Sequence, residues 1–110
     1  MTGHEIAHAP AYGCNPIVVL LDNARWEMLQ AFFPDAGYND TVPWPFAKLA
    51  ELWAGVGYDV RTPGELRDAL TSAWSQSRFA IIDVKLQKGD ISHILRGFVA
   101  AFKQKVYSAS

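Results

Sequence analysis

The sequence predicts an α/β protein, a three-layer α/β/α arrangement around a parallel sheet, and three observations carry that expectation. Residues 15–21, Asn-Pro-Ile-Val-Val-Leu-Leu, form a β-branched apolar run without alternation, the pattern of a strand covered on both faces. Strand-like and helix-like segments alternate along the chain, which favours right-handed crossovers between parallel strands. Thr62-Pro63-Gly64-Glu65 combines a capping box with proline at the first helical position, a helix start set between two strand segments.

Taken in order, Thr2-Gly3-His4-Glu5 also has the capping-box form and opens a short helix that Pro10 and Gly13 are expected to end. The first strand stops at Asp22-Asn23. Over residues 26–33 the apolar positions Met28, Leu29, Phe32 and Phe33 recur at helical spacing until Pro34. Residues 35–45 carry Gly37, Asn39, Asp40, Pro43 and Pro45 and read as a long ordered loop, a kind of segment that is usually functional. Pro45 opens a helix through Phe46, Leu49, Ala50 and Trp53 that closes at Gly55 or Gly57, and a short strand, Tyr58-Asp59-Val60, follows. The capped helix carries Leu66, Ala69, Leu70, Ala73 and Trp74. Phe79-Ala80-Ile81-Ile82-Asp83-Val84 is the third strand. Lys88-Gly89-Asp90 turns into a last helix with Ile94, Leu95, Phe98, Val99, Phe102 and Val106 on one face, read as a core stripe. No repeat or linker divides the chain, so residues 1–110 read as one unit.

Composition narrows the function. Half of the 110 residues are apolar, and 10 Lys+Arg against 11 Asp+Glu leave a formal charge of −1, which does not describe a disordered chain. The basic residues are scattered, so no phosphate-tracking stripe exists and a nucleic-acid partner is not expected. The longest apolar run, residues 17–21, is far short of the roughly 20 residues of a membrane helix. No membrane partner is expected. Cys14 is the single cysteine, read as a small buried residue that cannot form an internal disulfide; a cytoplasmic setting follows. The 14 aromatics, four of them Trp, leave open a non-catalytic α/β interaction module that uses apolar surface for a partner.

Two motifs bear on chemistry. His4-Glu5-Ile6-Ala7-His8 is a literal H-E-x-x-H: on an α-helix the imidazoles share one face and could ligate Zn²⁺ while Glu5 activates a bound water, with Glu27 as a third ligand of a small zinc peptidase. The opposing reading is a capping-box acid with two solvent-facing histidines, since Pro10 interrupts the helix the motif needs. The second motif follows the first strand. In an open sheet ligands bind outside the carboxyl ends of the strands, which places residues 22–26 at the candidate site.

The run Asn15-Pro16-Ile17-Val18-Val19-Leu20-Leu21-Asp22-Asn23-Ala24-Arg25-Trp26-Glu27-Met28 resembles the end of the metal and diphosphate motif of thiamine-diphosphate-dependent enzymes. The resemblance is to the 2-oxo-acid decarboxylase branch that includes pyruvate, indolepyruvate and phenylpyruvate decarboxylases. It continues through Tyr38-Asn39-Asp40, Trp44, Thr62-Pro63-Gly64-Glu65-Leu66, Phe79-Ala80-Ile81-Ile82-Asp83 and Ser92-His93-Ile94-Leu95-Arg96-Gly97-Phe98-Val99. The family motif begins with Gly-Asp-Gly and ends in Asn-Asn; here the second Asn is Asn23, and Asp22 replaces the first.

The resemblance implies thiamine diphosphate and Mg²⁺ as cofactors. Asn23 would supply a side-chain oxygen and Arg25 a backbone oxygen to the metal, while Asn23, Trp26, Glu27 and Met28 would meet the cofactor, the opening amides of the Trp26 helix facing the phosphates. Oxygen donors suit a hard cation. A plain Asx turn after a strand is the alternative account of Asp22-Asn23. Leu29 stands where the pyruvate decarboxylase branch carries a catalytic glutamate, which implies a larger, more apolar 2-oxo acid; the alternative is a core leucine. The Gly-Asp-Gly segment would precede Met1, so the chain is expected to be the C-terminal part of a longer, homo-oligomeric enzyme acting on a small-molecule 2-oxo acid, with no catalytic residue of its own and no activity in isolation.

Overall fold

The computed structural model describes residues 3–109. They fall into two compact units, one comprising the chain up to Asp22 together with Trp44–Lys85, the other Asn23–Pro43 with Leu86 onwards.

The first unit is an α/β layer structure. It contains an N-terminal 3-10 helix (His4–Tyr12), strand β1 (Ile17–Asp22), and later β2 (Val56–Val60), helix Pro63–Trp74, and β3 (Ala80–Lys85), together with helix Phe46–Leu52. With helix Glu27–Phe32 of the second unit counted as α1, the helices Phe46–Leu52 and Pro63–Trp74 are α2 and α3, and His93–Ser108 is α4. The sheet is wholly parallel in the order β1-β3-β2, with Ile17 opposite Ala80 and Val56 opposite the same residue. Reaching β2 from β1 crosses the sheet in one direction and reaching β3 from β2 reverses it, so right-handed crossovers put their helices on opposite faces. Packing agrees. On one face Ala50, Phe79 and Ile81 are buried with Val18, Phe46, Trp53, Ile6 and Ala9; on the other, Val60, Ala69 and Ile82 are buried with Ile17, Leu66 and Val84. Strand β3 lies in the middle, and its first four residues are buried. The parallel three-layer expectation is met here.

Several local expectations are corrected. β1 is an edge strand, and Val19 and Leu21 stand 43% and 65% exposed, so its apolar run is not covered on both faces. Thr2 of the first capping box lies outside the described residues. The helix that follows is a 3-10 helix with Pro10 inside it, and Gly13, in the left-handed region at φ 65°, ends it. Cys14 is exposed rather than buried.

α2 ends in a Schellman arrangement: the Gly55 amide donates to the Ala50 carbonyl at 2.8 Å and the Ala54 amide to Glu51 at 3.2 Å. The left-handed residue in it is Ala54, at φ 63°, not a glycine. Gly55 and Gly57 answer to close approach instead. A Cβ on Gly55 would stand 2.5 Å from the Phe79 ring, and one on Gly57 would collide with the Ala47 backbone. α3 starts as its sequence dictates. The Thr62 hydroxyl accepts from the Glu65 amide at 3.2 Å, and the Glu65 carboxylate accepts from the Arg61 amide at 2.7 Å, one residue before the cap.

In the second unit α1 packs on α4. The Phe32 ring makes edge contacts with Phe98 at 5.9 Å and Phe102 at 5.1 Å between centroids. The Ser92 hydroxyl accepts from the Leu95 amide at 3.1 Å and caps α4. The stripe expected to be core is only partly used: Val99 is buried, whereas Ile94 is 86% exposed.

Candidate functional site

β1 hands the chain to a tight turn. The Asn23 side-chain oxygen accepts from the Arg25 amide at 3.3 Å, an Asx turn, and Ala24 between them takes a left-handed φ of 54°. A non-glycine residue held there costs about 1–2 kcal/mol, which the surrounding hydrogen bonds must offset. Those bonds come from residues 39–41. Trp26 donates its amide to the Asn39 carbonyl at 2.8 Å, and the Thr41 amide donates to the Ala24 carbonyl at 3.1 Å, making an antiparallel bridge with Arg25 opposite Asp40. In that pattern the central pair exchanges no backbone hydrogen bond. Among the described residues no amide donates to the Arg25 carbonyl.

Side chains lock the same bridge. Arg25 Nε and Lys88 Nζ lie 2.8 and 3.2 Å from Asp40 Oδ1, and the Arg25 hydrogen bond, then that of Lys88, holds the Asp40 carboxyl below the ordinary carboxylate range. Asn39 is buried. Its amide nitrogen donates to Gln30 Oε1 at 2.8 Å and to the Phe33 carbonyl at 2.7 Å, capping the end of α1. The Glu27 carboxylate accepts from the Gly89 amide at 3.2 Å.

In the first unit the carboxyl ends of β1 and β3 carry a second polar cluster. Lys85 Nζ bridges Asp22 Oδ2 at 2.6 Å and Asp83 Oδ2 at 2.7 Å. Asp83 is fully buried, and its Oδ1 has no hydrogen-bond partner among the described residues. Burial raises its carboxyl above the ordinary value against the pull of Lys85. Burial also works against the Lys85 ammonium, but hydrogen bonds to Asp22 and Asp83 outweigh it and leave that group above its ordinary value.

A family model described as the thiamine pyrophosphate enzyme, C-terminal TPP binding domain, matches residues 1–84. The chain belongs to this family. Thiamine diphosphate is therefore the cofactor its fold is built to bind. Over 105 residues the chain is 40% identical to an indole-3-pyruvate decarboxylase of Azospirillum brasilense, covering 94% of this chain and 19% of that protein. An alpha-keto-acid decarboxylase of Mycolicibacterium paratuberculosis is 29% identical over 100 residues, 86% of this chain and 18% of the relative. The acetolactate synthase large subunit of Haemophilus influenzae is 26% identical over 98 residues, 82% and 17%. The chain spans about a fifth of the length of these relatives.

Measured against a diphosphate-bound divalent cation, the turn fits. Asn23 presents an amide oxygen whose one long hydrogen bond leaves a lone pair, and the Arg25 carbonyl is uncommitted; both are hard oxygen donors. One sequence expectation is corrected: the Trp26 amide is spent on Asn39 and cannot face a phosphate. The first-turn amides of Glu27 and Met28 carry no such commitment to a backbone carbonyl. The zinc reading fails on geometry. In a 3-10 helix residues four apart sit about 120° apart around the axis, so His4 and His8 do not share a face. His4 instead sets its ring edge-on to Trp53 at 5.6 Å, and no group of three His, Cys, Asp or Glu among the described residues could hold a metal. Sequence reasoning missed the burial of Asn39 and the Asp83–Lys85–Asp22 cluster. The available signals were an Asx residue inside a long loop, and an acid with a lysine two positions on, sharing one face of a buried strand.

Proposed function

We propose that the chain is the metal- and diphosphate-anchoring segment of a thiamine-diphosphate-dependent 2-oxo-acid decarboxylase of the indolepyruvate or phenylpyruvate type. The observation that carries the reading is the turn over residues 23–26, with an amide oxygen on Asn23 and an uncommitted carbonyl on Arg25. In this reading Asn23 through Oδ1 and Arg25 through its carbonyl ligate Mg²⁺. Glu27 and Met28 offer amides to the diphosphate, and Asn23 and Trp26 wall the cofactor from the side. Thiamine diphosphate supplies the electron sink for loss of CO₂, and the protein holds and orients it.

Leu29 lends support to a large apolar 2-oxo acid: it puts no carboxylate on α1 at its position, and a relative that shares 40% of the aligned residues is named for indole-3-pyruvate. Because the relatives are about five times longer, the 110-residue chain by itself is expected to show no turnover. A homo-oligomeric assembly is part of the same reading, supported by the exposed Trp74, Phe98 and Tyr107. So is a cytoplasmic setting, supported by the free Cys14 thiol. Calorimetric titration of the chain with thiamine diphosphate in excess Mg²⁺ tests the anchor. Saturable binding that Asn23→Ala weakens at least tenfold is expected; no heat at millimolar cofactor sinks the reading.

A further inference from the structure

We infer that Asn39 is the positioning residue of the metal-anchoring turn, an inference that rests on the anchor proposed above. α1 has six residues, too few to hold a helix by its own hydrogen bonds. Asn39 grips both of its ends. Its carbonyl takes the Trp26 amide at the start, and its side-chain nitrogen reaches Gln30 and the Phe33 carbonyl at the finish. Asn39 is 1% exposed, so its amide nitrogen is shielded from water at the donor end of these bonds. The loop closes on itself: Trp26 runs through α1 to Phe33, from Phe33 to Asn39, and from Asn39 back to Trp26.

The consequence falls on Arg25. Register between Ala24–Trp26 and Asn39–Thr41 makes Arg25 the non-bonded member of the bridge, and this register keeps its carbonyl available to a cation. If residue 39 shifts, the bridge loses its reference point. Gln30 meets Asn39 only as an acceptor, while its own Nε2 donates to the Pro34 carbonyl at 3.1 Å; Asn39 is the more demanding position, since its two donated bonds require an amide.

This difference defines the test. Asn39→Asp keeps the shape and removes both donors, whereas Gln30→Glu keeps the acceptor toward Asn39 and gives up only the exposed donation to the Pro34 carbonyl. Mn²⁺, with thiamine diphosphate present, is titrated into the 110-residue chain and free Mn²⁺ is counted by electron paramagnetic resonance. In parallel, backbone amide exchange is followed by NMR. Expected for Asn39→Asp are a loss of Mn²⁺ affinity of about tenfold and at least tenfold faster exchange at the Trp26 amide, with β3 amides unchanged. Gln30→Glu is expected to match the wild type within about twofold. Wild-type binding that persists in Asn39→Asp overturns this inference and leaves the anchor standing. Absence of Mn²⁺ binding by the wild type overturns both. Should Asn39→Asp lose β3 protection as well, Gln30→Ala takes its place, with an intermediate loss of Trp26 protection expected and unchanged protection refuting the role.

Discussion

Lys85→Met removes the cation from a buried ion cluster, and its cost can be worked from the structure. Lys85 Nζ holds Asp83 at 2.7 Å and Asp22 at 2.6 Å; the Asp83 side chain is fully enclosed and Lys85 keeps 26% of its side chain exposed. Breaking a buried pair by deleting one partner costs about 3–5 kcal/mol, because the other charge stays behind without compensation. Two things lower that figure. Solvent reaches Lys85, and Asp83 can escape by taking a proton. From the ordinary value of 3.8, protonation at pH 7 costs at most about 1.36 × (7 − 3.8), or about 4 kcal/mol, and less because burial has already raised the group. A loss of about 2–3 kcal/mol at pH 7 is expected.

The pH dependence has a definite sign. With its folded pKa above the unfolded 3.8, Asp83 binds a proton more tightly in the folded state, so stability falls as pH rises through the window from 3.8 up to the raised value. Without Lys85 the raised value climbs further, and the deficit of the variant shrinks as pH drops toward 5. Urea unfolding followed by circular dichroism at pH 5, 6, 7 and 8 measures this. A loss below about 0.5 kcal/mol at pH 7, or a loss equal at pH 5 and pH 8, refutes the reasoning, and Asp83→Asn in the Lys85→Met background should recover much of the deficit.

Three further substitutions follow from the backbone and caps. Ala54→Gly relieves the left-handed strain at the end of α2 at the expense of unfolded-state entropy, for a net gain of about 0.5–1 kcal/mol in a urea midpoint. Gly57→Ala drives a methyl into the Ala47 backbone and should cost about 3 kcal/mol in the same assay, with a loss under 1 kcal/mol contradicting the packing. Ser92→Ala deletes the α4 cap and should cost about 1 kcal/mol, read by NMR as faster exchange at the Leu95 amide with β3 unaffected.

What the sequence disclosed was what local chemistry controls. Thr62 and Glu65 cap α3 because a capping box needs only four residues, and the parallel α/β class shows in the alternation of elements. Matters decided by distant neighbours were not readable. An unbroken Ile-Val-Val-Leu-Leu run marks a parallel strand without saying whether it lies in the middle or at the edge, and β1 lies at the edge. Gly55 and Gly57 looked like helix stops, whereas the Phe79 ring and the Ala47 backbone require them and Ala54 makes the stop. His4 and His8 depended on an α-helical period that a 3-10 helix does not have. At the candidate site, the resemblance pointed to Asn23 and Arg25, and the Asx turn that joins them was open to a reading from the Asp22-Asn23 pair. The use of the Trp26 amide by Asn39 was not, because that bond joins positions thirteen apart in a loop without periodicity.

The central place of β3 has a consequence in time. β1 finds its partner only across a long stretch of chain, as the 63-residue separation of Asp22 and Lys85 records, while β2, α3 and β3 form a local unit. Closing the longer loop costs more chain entropy, so the local unit is expected to assemble first and β1 to dock onto it last. Until β3 exists, β1 is an apolar strand without its partner, and the residues leading into the turn over residues 23–26 wait on it. Of everything in the first unit, the origin of that turn is the part most dependent on the chain having been made through Lys85.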